Sequence, residues 1–288
     1  VGYVGKKDII DVQNYWDDLP CNIRHSQTPL QEDPLVYSHE VSFRKYLVEP
    51  HIPFFAEHGL WENKEVLEMG CGIGTDTIQF ALSGVKKILG MDISRDSLDI
   101  AFQRLQAEKP PDNWTLVQGD IENLRENEHC FFWSDSYDLV YSFGVIHHTP
   151  RPWRAIAEAY RMLKPGGEFR LMVYNRYSWK AFWIIMKYGK GRFWKWKELI
   201  PKYSEAQTGC PITWTFTPRE MKHLLEANGF QVESVTKDHI FPYRIKEYIN
   251  HQYRMTWYWE MCPPRLFDWL QSKFGWHLLI KARKPKGR

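Results

Sequence analysis

The chain has 288 residues, and its 38 Lys+Arg against 35 Asp+Glu give a formal net charge of +3. Charged residues make up 25% and the AVILMFWYC set 43%, which excludes a disordered chain and fits a folded domain with a sizeable core. So small a charge argues against nucleic acid as a bulk electrostatic partner, and the apolar run Ala181 to Met186 is far short of the ~20 residues of a spanning helix.

The five cysteines (Cys21, Cys71, Cys130, Cys210, Cys262) are scattered and form no CxxC pair. Neither a zinc knuckle nor a disulfide framework is expected, and free thiols fit a cytoplasmic location. The opening VGYVGKKDII lacks the apolar stretch of a secretory signal. No His/Asp cluster at ligand spacing stands out, so no metal is expected.

In chain order, residues 1–62 read as a polar-aromatic arm with few regular signals. Within it, Tyr15, Trp16, Cys21, Asn22, Arg24 and His25 crowd aromatic, thiol, amide, guanidinium and imidazole groups together. This stretch is either a docked surface arm or a lid in which Tyr15, Trp16, Arg24 and His25 face an acceptor. Val66–Met69 predicts a strand running into glycines, and Lys87–Met91 a second strand. Ser94 predicts the cap of a helix with Leu98, Ala101, Phe102 and Leu105 on one face.

Trp114–Val117 and Tyr137–Ser142 read as further strands. Ile156, Ala159, Tyr160 and Leu163 mark a helix stopped by Lys164-Pro165-Gly166-Gly167 before a fifth strand, Phe169–Tyr174. Thr217 and Glu220 form a capping box around Pro218, with Gly229 beyond the helix end. Phe230–Val235 and Trp276–Ala282 predict two last strands, with 241–273 inserted between them. Alternating strands and helices imply an α/β fold: a doubly wound, mostly parallel, seven-stranded sheet with one antiparallel edge strand.

The motif Glu68-Met69-Gly70-Cys71-Gly72-Ile73-Gly74 lets the backbone turn sharply before a helix whose N-terminal amides are free. Dinucleotide sites use GxGxxG. Here the third glycine comes one residue early, which disfavours a dinucleotide-binding oxidoreductase.

VLEMGCGIGTDT resembles motif I of the class I S-adenosylmethionine-dependent methyltransferases. Asp92 in GMDIS, Asp120 in QGDIENL, YDLVYSFGVIHHTP and RMLKPGGEFRLMV follow in that family's order. The likeness covers about residues 60–240 and the last strand, and is nearest the small-molecule (UbiE/UbiG-like) branch. It implies S-adenosyl-L-methionine as cofactor, bound by Glu68, Gly70, Cys71, Gly72, Gly74, Asp92, Ile93, Asp120, Ile121, Ser142, Phe143 and His147. Asp92 would accept the ribose hydroxyls, and Asp120 would meet the adenine amino group with Ile121 packing on the ring. Cys71 reads as a small filler, not a nucleophile.

His147 and His148 are the candidate catalytic bases. In the resemblance His147 lines the methionine part of the cofactor, and His148 packs structurally. Tyr203 and Gln207, in a polar loop, are further acceptor-side candidates. So is the aromatic insertion with His251, Tyr253, Trp257, Tyr258 and Trp259.

The reading is therefore an arm or lid over 1–62 and a cofactor-binding core over 63–240. A cap insertion spans 241–273, and the last strand with a basic tail spans 274–288. The expected reaction moves a methyl group to a small-molecule thiol, amine, hydroxyl or ring carbon. An RNA or protein acceptor is the alternative, supported by the basic-aromatic strip Lys187, Lys190, Arg192, Phe193, Trp194, Lys195, Trp196 and Lys197. The simpler reading of that strip is an amphipathic helix with its aromatics packed inward. Lys281, Arg283, Lys284, Lys286 and Arg288 read as a solubilising tail.

Overall fold

A computed structural model describes residues 8–126, 134–204 and 210–287. Three helices precede the sheet: α1 (Ile9–Asp18), α2 (Pro34–Val48) and α3 (His51–Ala56). Then come β1 (Glu65–Met69), α4 (Thr75–Leu82), β2 (Lys87–Asp92), α5 (Arg95–Glu108), β3 (Trp114–Gln118), β4 (Tyr137–Phe143), α6 (Pro152–Met162) and β5 (Leu163–Tyr174). The remainder is α7 (Trp179–Gly189), α8 (Trp196–Tyr203), α9 (Pro218–Ala227), β6 (Gln231–Asp238), α10 (Ile245–Ile249), α11 (Trp257–Glu260), α12 (Pro264–Phe274) and β7 (His277–Arg283).

The seven strands lie in the order β3-β2-β1-β4-β5-β7-β6, and all neighbours from β3 to β5 pair in parallel. Strand β7 runs antiparallel to both β5 and β6. The antiparallel strand is thus one place in from the edge, not at it. Side chains alternate across the sheet. Leu67, Met69, Leu89, Met91 and Val140 enter one core cluster, while Val66, Ile88, Leu139 and Tyr141 enter the other. Burial on both faces is what a parallel sheet covered by helices requires.

Residues 8–62 are far more regular than expected of the arm. Asp8 caps α1 in a capping box with Asp11, and Asp33 caps α2 with Pro34 in the first turn. In α2, Tyr37, Val41, Arg44 and Val48 are buried. A buried arginine interrupts the apolar stripe, which hides the helical period.

The basic-aromatic strip does not pack all its aromatics inward. Trp196 lies against a core cluster, but Phe193 is 51% and Trp194 75% exposed. The C-terminal basic residues are not a free tail either. Lys281 Nζ lies 2.6 Å from Glu57 Oε2, Arg283 pairs with Glu233 and Glu168, and Lys284 Nζ lies 2.6 Å from Asp135 Oδ1. Arg288 falls outside the described residues. Among the described residues, no helix is long and apolar enough to cross a membrane.

Candidate active site

Parallel strands of an open α/β sheet leave a crevice beyond their carboxyl ends, where ligands bind. Here that crevice is a cleft of about 940 Å³, counting space open to solvent. Its floor is the turn from β1 into α4. Gly70, Gly72 and Gly74 all have positive φ (84°, 53° and 76°), the region glycine tolerates best. At Gly70 there is a second constraint: a Cβ would overlap the Val145 side chain. A Cβ on Gly72 would meet nothing within 4 Å.

Asp92, at the end of β2, holds this turn. Its Oδ2 accepts from Gly72 N at 2.7 Å and its Oδ1 from Ser94 N at 2.9 Å. A carboxylate has about four acceptor sites, so room remains for a ligand hydroxyl. Burial pushes the Asp92 carboxyl up, and the two amides oppose this. Asp120 accepts from Glu122 N at 2.8 Å and is also pushed up by burial.

Of the sequence-predicted cofactor residues, Glu68, Gly70, Cys71, Gly72, Asp92, Ile93, Asp120, Ile121 and Phe143 line the cleft. Gly74 and Ser142 stand behind it: Gly74 caps α4, and buried Ser142 donates its hydroxyl to Met69 O at 2.9 Å. Burial drives the Cys71 thiol well above its ordinary pKa, so it is no thiolate nucleophile.

The two histidines exchange the places expected of them. His148 lines the cleft, where Trp16 meets it edge-on at 5.5 Å between ring centroids. Its Nδ1 donates to Ile212 O at 2.8 Å. His147 does not line the cleft. It is fully buried against Tyr174 at 3.7 Å, and neither ring nitrogen has a hydrogen-bond partner among the described residues. Burial, with His148 and Lys180 adding, holds it well below the ordinary imidazole range. The two rings touch, 4.2 Å between centroids, so His148 forms the cleft surface and His147 packs behind it on Tyr174.

Helix α1 lies across the cleft mouth, contributing Ile9, Val12 and Trp16 at helical spacing. Trp16 O also accepts from Ser94 Oγ at 3.2 Å. Cys21 and Asn22 complete this wall. Tyr15 packs on Trp16 at 5.0 Å but does not reach the cleft. Nor do Arg24 and His25. Arg24 is exposed, and His25 Nε2 lies 3.3 Å from the Tyr248 hydroxyl. Tyr203 stacks on Tyr188 at 3.8 Å, away from the cleft, and Gln207 lies outside the described residues.

Two charged cleft residues, Lys45 and Asp76, escaped the sequence reading. Lys45 Nζ, from α2, lies 2.8 Å from Asp76 Oδ2 on α4. Asp76 Oδ1 also accepts from the Tyr46 hydroxyl at 2.7 Å. Against the penalty of burial, the Lys45 ammonium holds Asp76 below the usual carboxylate range. Burial, with the Asp76 charge next, pushes Glu68 up to about 8, while the Thr77 hydroxyl donates to it. The only sequence signal was an acid in the first turn after the glycines, which reads as a plain helix-start residue.

One grouping lies outside the sequence motifs: Glu49, His239 and His277, far apart in sequence, bring ligand atoms within 4.8 Å of one another.

A glycine-loop cleft at the carboxyl edge of a Rossmann-like sheet, with an acid closing the second strand, defines a nucleoside-cofactor enzyme. The comparisons agree. A family model described as a methyltransferase domain matches residues 41–235. The ubiquinone biosynthesis O-methyltransferase of Nitrosococcus oceani is 24% identical over 206 residues, 70% of this chain and 80% of that one. The enzyme of the same name from Erwinia tasmaniensis is 31% identical over 129 residues, 44% of this chain and only about half (49%) of its own length. Magnesium protoporphyrin IX methyltransferase from Synechocystis PCC 6803, solved with bound S-adenosylhomocysteine, shares the fold (TM-score 0.58, 15% identity, 96% of this chain and 100% of that one).

The chain belongs to the methyltransferase domain family. It is a class I, UbiE/UbiG-like enzyme whose cofactor is S-adenosylmethionine.

Proposed function

We propose that this enzyme methylates a small-molecule nucleophile, a hydroxyl, thiol, amine or ring carbon. The supporting observation is the wall that α1 adds to the cleft: Ile9, Val12 and Trp16 line it opposite the glycine loop and narrow it to the scale of a small molecule. The Nitrosococcus and Synechocystis relatives, named for ubiquinone biosynthesis and for a porphyrin, lend support.

The donor set fits the cofactor. Asp92 suits two vicinal hydroxyls, Asp120 an amino group, and Ile93 and Ile121 the faces of a flat ring. Gly70–Gly72 lets a chain pass close to backbone, and Lys45 and Glu68 stand where the polar end would lie. When bound, the cofactor supplies an electrophilic methyl on a sulfonium with a neutral leaving group. The protein's task is then mainly to orient and to exclude water, a term worth ~7–11 kcal/mol in favourable cases. Phe143 and Trp16 present aromatic faces that favour a cation. His148, in the cleft, is the better-placed candidate for handling an acceptor proton, and His147 acts only through packing.

A polymer acceptor is favoured by one feature, the exposed Phe193 and Trp194 within a lysine-rich strip. The test of the main reading is calorimetry with S-adenosylhomocysteine, with NAD as control, followed by transfer of labelled methyl to phenol, thiol and amine panels and to RNA. Binding of S-adenosylhomocysteine alone and labelling of a small molecule are expected. Labelling of RNA only, with salt-dependent affinity, would overturn the small-molecule assignment.

A further inference from the structure

Beside the cleft lies a buried chamber of histidines that the methyl-transfer reading does not use. It forms where the chain leaving β6 crosses the chain entering β7. The crossing is so close that a Cβ on Gly275 would overlap the Asp238 backbone, and Trp276 N donates to His239 O at 2.9 Å. It sets the rings of His239 and His277 face to face at 4.5 Å. His239 has φ at 68°, and several other non-glycine residues of this chain also have positive φ. Glu49, from the α2–α3 connection, closes the third side.

We propose that Glu49, His239 and His277 form a binding site for a divalent transition metal of the zinc class. Their ligand atoms already lie within 4.8 Å of one another. Ligands about 2.1 Å from a tetrahedral ion stand roughly 3.4 Å apart. The His277 Nε2–Glu49 Oε1 distance is 3.5 Å, so one edge of that tetrahedron is formed.

The other nitrogen of His277 is cared for as well. His277 Nδ1 lies 2.9 Å from His51 Nε2, and His51 Nδ1 lies 3.7 Å from Asp238 Oδ1. The His277–His51 contact is a hydrogen bond, and the Asp238 carboxylate lies beyond bonding distance; a ligating imidazole that donates its second N–H to such a partner has its tautomer and orientation fixed. Two imidazoles and a carboxylate select zinc-like ions over magnesium or calcium. Lys180 opposes an added cation, since its charge reaches His239 and His277, and the Glu49 carboxylate, 3.5 Å from His277 Nε2, is the anionic ligand set against it.

The site is one ring removed from the cofactor cleft. Phe143, which lines the cleft, meets His277 edge-on at 5.7 Å and His51 at 6.0 Å. Three protein ligands leave a fourth position for water or another outside ligand, and the site does not depend on the proposed function.

The test uses the full chain stripped with chelator and titrated with cobalt(II), a spectroscopic stand-in for zinc. One equivalent should give intense visible bands of a four- or five-coordinate ion. H239A and H277A should abolish them, E49Q should weaken binding at least tenfold, and H39A, at an exposed histidine, should change nothing. If H277A fails to fold by circular dichroism, H277Q serves in its place. Absence of the bands in folded protein, or their persistence in both folded histidine variants, would overturn the site. S-adenosylhomocysteine calorimetry on the same samples separates the two readings. Cofactor binding without cobalt binding removes only the metal site; cobalt binding without cofactor binding removes only the cleft assignment.

Discussion

Lys45 Nζ and Asp76 Oδ2 stand 2.8 Å apart in the cleft wall, joining a helix of the N-terminal arm to the helix that leaves the glycine loop. Both side chains are largely withdrawn from solvent, so neither charge has water to fall back on. Replacing Lys45 by Met should leave the Asp76 carboxylate with the Tyr46 hydroxyl and His58 but no ammonium facing it, and cost up to about 3–5 kcal/mol. Adding D76N should restore much of it. Urea unfolding of the single and double variants checks this, and a K45M loss within 0.5 kcal/mol, the scale of about a neutral surface change, would refute it.

Glu68 carries the opposite shift, upward from 4.5 to about 8. Burial is the main cause and the Asp76 charge the next. A carboxyl raised in the folded state contributes stability fully present below the unfolded value, near 4.5, and lost as pH rises through about 8. E68Q has no proton to lose. Relative to E68Q, the wild type should therefore lose stability steadily between pH 5 and about 8 and then level off. Urea midpoints of the two proteins across that range read the trend, and a gap that does not change with pH would show that Glu68 is not held neutral.

The core of this fold is plainly written in the sequence because each β-strand and capped helix there repeats a local rule. The run Val66–Met69, the Ser94 cap and the Thr217–Glu220 capping box all depend on neighbours within a few residues. The arm was less legible. Arg44 sits at a buried position of α2 because Tyr248 and His251, more than 200 residues away, receive its guanidinium. The same holds for the cleft. Glycines and Asp92 follow a fixed spacing, but Lys45 enters by helix packing, and the Glu49–His239–His277 cluster by a chain crossing. Local patterns carry no record of such encounters.

Gly70 offers a purely steric test. A Cβ there would overlap both methyls of Val145, and the backbone φ of 84° disfavours any other residue. G70A should cost about 1–3 kcal/mol through overpacking and strain. It should also abolish S-adenosylhomocysteine binding at millimolar concentration. Adding V145A removes the two methyls but not the backbone strain, so it should recover part of the stability and little of the binding. Thermal unfolding and calorimetry of the pair check this. Full recovery by V145A would mean that backbone conformation is unimportant here.

Asp92 ties the glycine loop to the start of α5 through two backbone amides, with 2.7 Å and 2.9 Å contacts to Gly72 and Ser94. D92A removes a charged acceptor worth about 1.5–3 kcal/mol per bond. Cofactor affinity should fall at least tenfold while circular dichroism stays unchanged. D92N, which keeps a carbonyl acceptor, should fall less. Calorimetry with S-adenosylhomocysteine ranks the three proteins, and equal affinities would separate Asp92 from the cofactor altogether.

Arg44 fastens the C-terminal insertion to the arm. Its guanidinium donates to Tyr248 O at 2.6 Å, lies 2.8 Å from a His251 ring nitrogen, and sits over the Tyr248 ring at 4.3 Å. Elsewhere the insertion is held by α12 against β6 and by buried Trp259 on Trp179, whereas the α10 segment meets the arm chiefly through Arg44 and the Tyr248–His25 contact. R44A should therefore free the segment around α10 without unfolding the sheet, whose strands it does not touch. Limited trypsin digestion should cut R44A near Arg244, Lys246 or Arg254 several times faster than wild type. R44K keeps the charge but loses the fork that reaches both partners, so it should be intermediate. Equal cleavage rates in all three proteins would show that the insertion is held by its own packing and that Arg44 is not its fastening.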